Sequence, residues 1–355
     1  MSSITLAPVL QAVPQKKVRC PWIISQREDM IWFIGSALAG YLAVALMWAG
    51  SAIGYPNQFL LPIQFVWFFA IDNPHVVATA TRTYFDKEER HKLGWLLWIP
   101  IPLMLLGPAA SLSGHAAIFL LFAFCWQQFH VTKQHFGFMM LYKAKQGERD
   151  RTDFKLDRWF LLASLFVPLG LFIIKVEPWA AAIPHVAWIK ASAFIGYAAL
   201  TLVWLARQIQ KWQRGDKPNW QKLALLAGVV PLQWIALGFG AQFGPKGILQ
   251  AAIPLGIFHG LQYHRLMWFH NHNRYSGSEA RERNGVAATL ATRASRYFLT
   301  AVGLNFGLSF LPQALFPYEV VQTAMWGIPF AHYVIDAKIW HIREDKDLAT
   351  ALHMG

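Results

Sequence analysis

The chain has almost no cysteine: Cys20 and Cys125 are the only two in 355 residues. One falls in a basic N-terminal tail and the other inside an apolar helix, which argues against a disulfide framework and a thiolate metal cluster. Charge is also sparse. Asp, Glu, Lys and Arg make up 14% of the chain, against 55% hydrophobic residues that include 17 Trp and 26 Phe. There is no low-complexity segment and no polar stretch long enough for a separate soluble domain. Residues 1–28 hold Pro8, Pro14 and a basic cluster, without a short apolar core and a small-residue cleavage site. A cleavable signal is therefore not expected.

What the chain has in quantity is apolar runs of about 20 residues, long enough to cross a ~30 Å hydrocarbon core. They predict an all-α polytopic membrane helix bundle of ten spans, at roughly 30–54, 58–84, 93–112, 115–143, 157–175, 188–210, 221–240, 248–272, 296–312 and 318–342. A tail of residues 1–28 precedes a single transmembrane domain (29–343), and residues 344–355 form a second tail.

The net charge of +13 would suit nucleic acid if it formed one patch, but it is dispersed. Basic residues cluster in the first tail (Lys16, Lys17, Arg19, Arg27) and after the second span (Arg82, Lys87, Arg90, Lys92). They recur at Lys143 to Arg158, Arg207 to Lys222, Arg274 to Arg296 and Lys338 to Lys346, whereas the alternate connections carry little beyond Lys175, Lys190 and Lys246. That is a positive-inside pattern, which places both termini in the cytoplasm. Membrane lipid, not nucleic acid, is the expected partner. The charged loops at 144–156 and 276–286 are expected to be simply solvated.

Six histidines lie inside the apolar segments: His75, His130, His135, His259, His264 and His332, with Asp336 one turn beyond the last. All fall on even-numbered spans, about 10–22 Å from the cytoplasmic end at 1.5 Å per residue. Ionisable groups at such depth are costly and mark partners or function. Shared depth and direction on four helices point to a metal site, since imidazole is a common ligand of iron, zinc and copper. His130 and His135, and likewise His259 and His264, are five residues apart, about 140° around a regular helix. Each pair converges only with a local π-bulge; otherwise it flanks a cleft and serves two metals.

Neighbouring polar residues extend the candidate site. Gln127 and Gln134 share a stripe with His130, while Gln262 and Tyr263 share one with His259. Lys133 and Arg265 sit beside ligand candidates; each pairs with Asp72 or Asp336, holds an acidic substrate head-group, or snorkels to the interface. Asp72 neighbours His75, and Pro74 between them can kink the helix and open room at the site. Asp336 stands above His332 at i,i+4 as a ligand or as the acceptor that orients one. Tyr263 or Tyr333 could supply a proton at the centre. His91, His115, His185, His270, His272, His341 and His353 fall in loops or at helix ends and are poorer candidates.

The runs DNPHVVATATRTYFD, WQQFHVTKQHFGFMMLY, HGLQYHRLMWFHNHNRY and HYVIDAKIWHIR resemble a family of uncharacterised bacterial polytopic membrane proteins rich in histidine. More distantly the pattern is similar to the membrane β-carotene dioxygenases of the Brp/Blh type. That resemblance implies iron held by histidines on several membrane helices and cleavage of a lipophile with O₂. The H-x4-H spacing and the final motif depart from that family, so its substrate is not carried over. The H-x-x-H-H clusters of membrane desaturases are missing here. The expectation is a non-haem metal oxygenase acting on a lipophilic small molecule, with one or two iron ions (or zinc or copper) and an electron donor where the chemistry needs one. A metal transporter and a haem-binding electron-transfer protein are the competing readings.

Overall fold

A computed structural model of the chain describes residues 20–277, 279–316, 318–342 and 344–354. Lys16, Lys17 and Arg19 of the expected basic tail lie outside them. All regular elements among the described residues are helices. Six helical segments are long and apolar enough to cross a membrane: Gln26–Ala52, Pro56–Thr81, Lys87–Leu112, Arg151–Val176, Val186–Gln213 and Trp220–Arg274. The last is 55 residues long and turns back at Gly244, whose φ is 59° and ψ −142°.

The helices that matter below are α1 (Ala37–Ala52), α2 (Pro56–Val66), α3 (Asn73–Ala78) and α4 (Pro100–Leu112). They are followed by α5 (Ala116–Gln146), α6 (Arg151–Val176), α7 (Val186–Gln213) and α8 (Trp220–Gly240). The series closes with α9 (Gly247–Arg274), α10 (Ala294–Phe310) and α11 (Gly327–Ile339). The α9 helix is the axis of the bundle: a continuous stretch from Ala251 to Gly260 is buried, polar and apolar faces alike. A helix buried all round needs neighbours on every side, and α1, α8 and the α2–α3 segment supply them. At the other extreme, α7 buries only Trp204, while Trp188, Ile195, Leu202 and Trp212 are exposed. Such a helix is stable against lipid, not water.

Between α2 and α3 the backbone is a π-helix, Trp67–Asp72. Pro74 then stands in the first turn of α3, where its missing N–H removes little. The predicted kink at Pro74 therefore takes the form of a register change just before it. Two glycines of α9 receive this segment. A Cβ on Gly256 would meet Trp67 Nε1 at 2.3 Å and Asp72 Oδ1 at 2.9 Å, and one on Gly260 would meet Ile71 Cγ2 at 2.9 Å. Only hydrogen fits at either position, so the backbones approach closely, as small residues allow between membrane helices.

The charged loops are not merely solvated. Glu148, between α5 and α6, accepts from Lys143 at 2.9 Å and Lys222 at 3.3 Å. Asp157 is fully buried, paired with Lys143, with Lys222 at 3.1 Å and with Trp204 Nε1 at 2.8 Å. Arg207 and Lys211 of α7 reach Asp153 at 2.7 and 2.9 Å. In the second loop, Asn284 is buried and donates to Asp86, which also accepts from Tyr275 at 2.7 Å. These loops hold carboxylates and amides that clamp helix ends together, which is why they fold back onto the bundle.

Candidate metal centre

His75 on α3, His130 on α5, His259 on α9 and His332 on α11 meet in the bundle interior. One ring nitrogen from each lies within 4.8 Å of the others, and all four residues are buried. The rings close a quadrilateral: centroids are 4.6 Å apart for His75–His259, 5.0 Å for His259–His130, 4.8 Å for His130–His332 and 5.1 Å for His332–His75. The Nε2 atoms of His75 and His259 are 3.1 Å apart. Two neighbouring nitrogens on one ion, each about 2.0–2.1 Å from it at tetrahedral or octahedral angles, stand roughly 2.8–3.4 Å apart. Nε2 of His130 and of His332, and Nδ1 of His75 and of His259, have no hydrogen-bond partner. A buried polar atom left without a partner costs about 1–3 kcal/mol. At the centre, Nε2 of His130 and of His332 have no partner and those of His75 and His259 have only each other; a cation that accepts imidazole lone pairs would account for all four, so the residues present fit a metal ion.

His332 is held in one tautomer by a chain of hydroxyls. Tyr263 donates to Asp336 Oδ1 at 2.9 Å. Its oxygen is then free to accept from Thr79 Oγ1 at 2.7 Å. The Thr79 oxygen in turn accepts from His332 Nδ1 at 2.7 Å. With the proton on Nδ1, the Nε2 lone pair faces the centre. Asp336 thus stands behind His332, 3.5 Å from its Nδ1 and outside the four-nitrogen group. Thr79, one turn after His75, is the link that spacing alone did not reveal.

The remaining predicted ligands point elsewhere. The α5 helix is α-helical throughout, so the five-residue spacing turns His135 away, and it stacks on Phe258 at 5.1 Å. His264 is turned away on α9 in the same manner. Its Nδ1 meets Tyr297 Oη and its Nε2 the Ile71 carbonyl, each at 3.1 Å, which leaves no free lone pair. Convergence by a π-bulge inside α5 or α9, the condition for both members of a pair to bind, does not occur; the π segment lies instead before His75.

Of the outer candidates, Asp72 Oδ1 is 3.7 Å from His75 Nδ1, beyond hydrogen-bond distance. Gln134 donates to the His259 carbonyl at 3.1 Å and to Gln262 at 3.0 Å, and Gln262 donates to the Phe33 carbonyl at 2.7 Å. These two amides fix α5 against α9. Arg265 pairs with Glu28 at 2.7 Å rather than with Asp72 or Asp336. Lys133 is exposed, over the Phe136 ring at 5.7 Å. The hydroxyl of Tyr263 is consumed by the chain to Asp336. That of Tyr333, stacked on His130 at 4.3 Å, has no hydrogen-bond partner among the described residues. His270, expected at the interface, is fully buried and shares a hydrogen bond with Asn271.

Two cavities reach the centre. The larger, about 660 Å³, touches His75, His259 and Tyr333 and extends between α2, α10 and α11. The smaller, about 300 Å³, lies on the other side, against His130, Tyr263, Tyr333 and Asp336. Tyr333 is shared by both. No known protein family, curated protein or solved structure matches this chain.

Proposed function

We propose that the four-histidine centre binds a redox-active metal, iron first, and that the protein is a membrane-embedded non-haem oxygenase acting on a lipophilic substrate. The observation that carries this reading is a buried, wholly neutral nitrogen donor set with unsatisfied lone pairs at the end of a cavity of substrate size. Neutral imidazoles suit Fe, Cu or Zn over Mg or Ca. Four protein nitrogens leave two positions of a six-coordinate ion for O₂ and substrate. One ion is preferred to two, because His135 and His264 do not join the group. When bound, such a metal supplies activation of O₂. The chain itself orients His332 through Thr79, Tyr263 and Asp336, keeps bulk water from the centre and surrounds the substrate with Phe and Trp. Insertion of both oxygen atoms of O₂ needs no external reductant; insertion of one needs two electrons from a donor protein or cofactor. With zinc instead, the same donors would activate water for hydrolysis.

The setting we propose is a bacterial inner membrane crossed ten times, both termini cytoplasmic. The support is the alternation of Lys and Arg clusters with the helices given above. Reporter fusions at 113, 180 and 243 are expected on the periplasmic side and those at 150 and 280 on the cytoplasmic side.

The cavities on both sides of the centre favour a second reading, passage of the metal itself from one side to the other. The deciding experiment is elemental analysis with an optical spectrum on the purified protein. About one iron per chain, no Soret band, and loss of that iron in each single His→Ala variant at the four positions are expected. Protein that takes up no transition metal, or metal uptake into vesicles driven by the purified chain, would overturn the oxygenase reading.

A further inference from the structure

The larger cavity is rich in Phe and Leu towards its outer end, where Gln64, Ser309 and Gln313 also line it, and has amides and a phenol beside the histidines. Leu61, Phe65 and Phe310 line it and are 60%, 57% and 51% exposed on the outside of the bundle, where lipid is the solvent. Inward of them Phe69 stacks with Phe306 at 4.7 Å and with Phe310 at 5.6 Å. Beside the histidines the lining changes to Asn73, Gln127 and Tyr333. Three amides nearby, Gln134, Gln233 and Gln262, donate to named partners. Gln127 does not. It is 8% exposed, one turn before His130, and its side chain makes no hydrogen bond among the described residues. Asn73 and the Tyr333 hydroxyl are likewise without partners. A buried amide with nothing to bond is costly, and here it faces a space large enough for a ligand.

The charge in the lining is as informative. Among its described residues there is no Lys, Arg or Glu, and the single carboxylate, Asp72, lies beside His75. The chain itself therefore offers an anionic head-group no cationic side chain in this lining, and burying a charge without one is costly. An amide, by contrast, offers both a donor and an acceptor, and so matches a hydroxyl or a carbonyl.

We infer that the substrate is an uncharged lipophile bearing a hydroxyl or carbonyl group. That group docks on Gln127 and Asn73 next to the four histidines, and the hydrocarbon part runs outward along Phe68, Phe69 and Phe310 to the bilayer. The polar end is therefore the end presented for reaction. This rests on the reading of the centre as the place where a substrate reacts, but binding can be tested without it.

The test uses three brominated probes of equal chain length, an alcohol, an alkane and a carboxylic acid, titrated at pH 8 into metal-free full-length protein in nanodiscs. Quenching of Trp67 and Trp326, which line the cavity, reports binding, and a Trp326→Phe variant shows how much of the signal arises there. The alcohol is expected to bind at least about tenfold more tightly than either other probe, the worth of one well-made buried hydrogen bond. Gln127→Met should abolish the preference for alcohol over alkane while leaving alkane binding intact. Carboxylate binding equal to the alcohol, or an alcohol preference unchanged in Gln127→Met, overturns the inference. Should that variant not fold, the three-probe ranking on the wild type decides alone. Failure of the ranking in protein that nevertheless loads iron rejects the substrate class and spares the metal centre. Correct ranking in protein that takes up no metal does the reverse.

Discussion

Two of the polar clusters buried in this bundle are built on opposite rules. Around Asp157 every charge is answered: Lys143 and Lys222 meet Asp157 and Glu148, and Trp204 closes the remaining side. Around His75 four imidazoles converge, and Nε2 of His130 and of His332 are answered by nothing in the chain. The first cluster is complete as folded and ties α5, α6 and α8 together. The second is incomplete without a ligand, and it lies where two cavities meet. Burial alone does not tell the two apart, since both clusters are buried; the convergence of four imidazoles does.

The comparison breaks most visibly at Asp157. Asp157→Leu leaves Lys143 and Lys222 with only Glu148 between them, and a loss towards the lower end of about 3–5 kcal/mol is expected, measured by denaturant unfolding in detergent. The metal-to-protein ratio of the surviving fraction should stay normal. A mild effect on stability would mean that the cluster is not the clamp described here.

The histidine centre should respond the other way round. His259→Leu is expected to lower metal content at least about tenfold, while the metal-free protein unfolds no more easily than the wild type, because an unpartnered polar group has been removed. His135→Leu serves as the control and should leave the metal content alone. Equal metal loss in both variants would place His135 in the shell.

A smaller effect is expected one layer out. Asp336→Asn and Thr79→Val each disturb the hydroxyl chain that sets the His332 tautomer. Metal affinity should fall by roughly 10–100-fold without vanishing. Complete loss of metal in Asp336→Asn would make Asp336 a ligand; unchanged affinity in both variants would remove the chain from the site.

The smallest effect concerns pH and the satisfied cluster. Burial alone would raise the carboxyl of Glu148, but Lys222 and Lys143 outweigh it and hold it below its ordinary value of 4.5. A depressed carboxyl contributes stability that is present above its unfolded value and is lost as pH falls through the folded one. Unfolding should thus ease progressively below about pH 4.5, and Glu148→Gln should flatten that part of the profile. A profile identical in the variant would show that the ion pairs contribute nothing there.

Much of this was legible beforehand, for physical reasons that also set the limits. Apolar runs fix helices through length alone, which is why segments such as 188–210 and 221–240 coincide with α7 and α8. Shared depth pointed to convergence of six histidines, of which four meet. Which member of each H-x4-H pair turns inward was not legible, because spacing gives an angle within a helix but not the helix's rotation against its neighbours. Packing chose His130 and His259. The link through Thr79 was missed because a threonine one turn from a histidine is common and acquires meaning only across helices. The charged loop at 144–156 was misread because local composition cannot say that Glu148 and Asp153 fold back onto α7 and α8.

The π segment Trp67–Asp72 has a genetic consequence. A π-bulge is one residue more than the α-helix needs at that turn, so the His75 site depends on an insertion rather than on any particular side chain. Deleting a single residue such as Ala70 would let the helix relax to α geometry, and His75 would swing by about 100°, out of reach of His259, although every histidine, glutamine and tyrosine of the site remained in the gene. The centre can therefore be gained or lost in one in-frame codon event, and a chain that kept all four histidines but one residue fewer between Trp67 and His75 would share this fold without its chemistry.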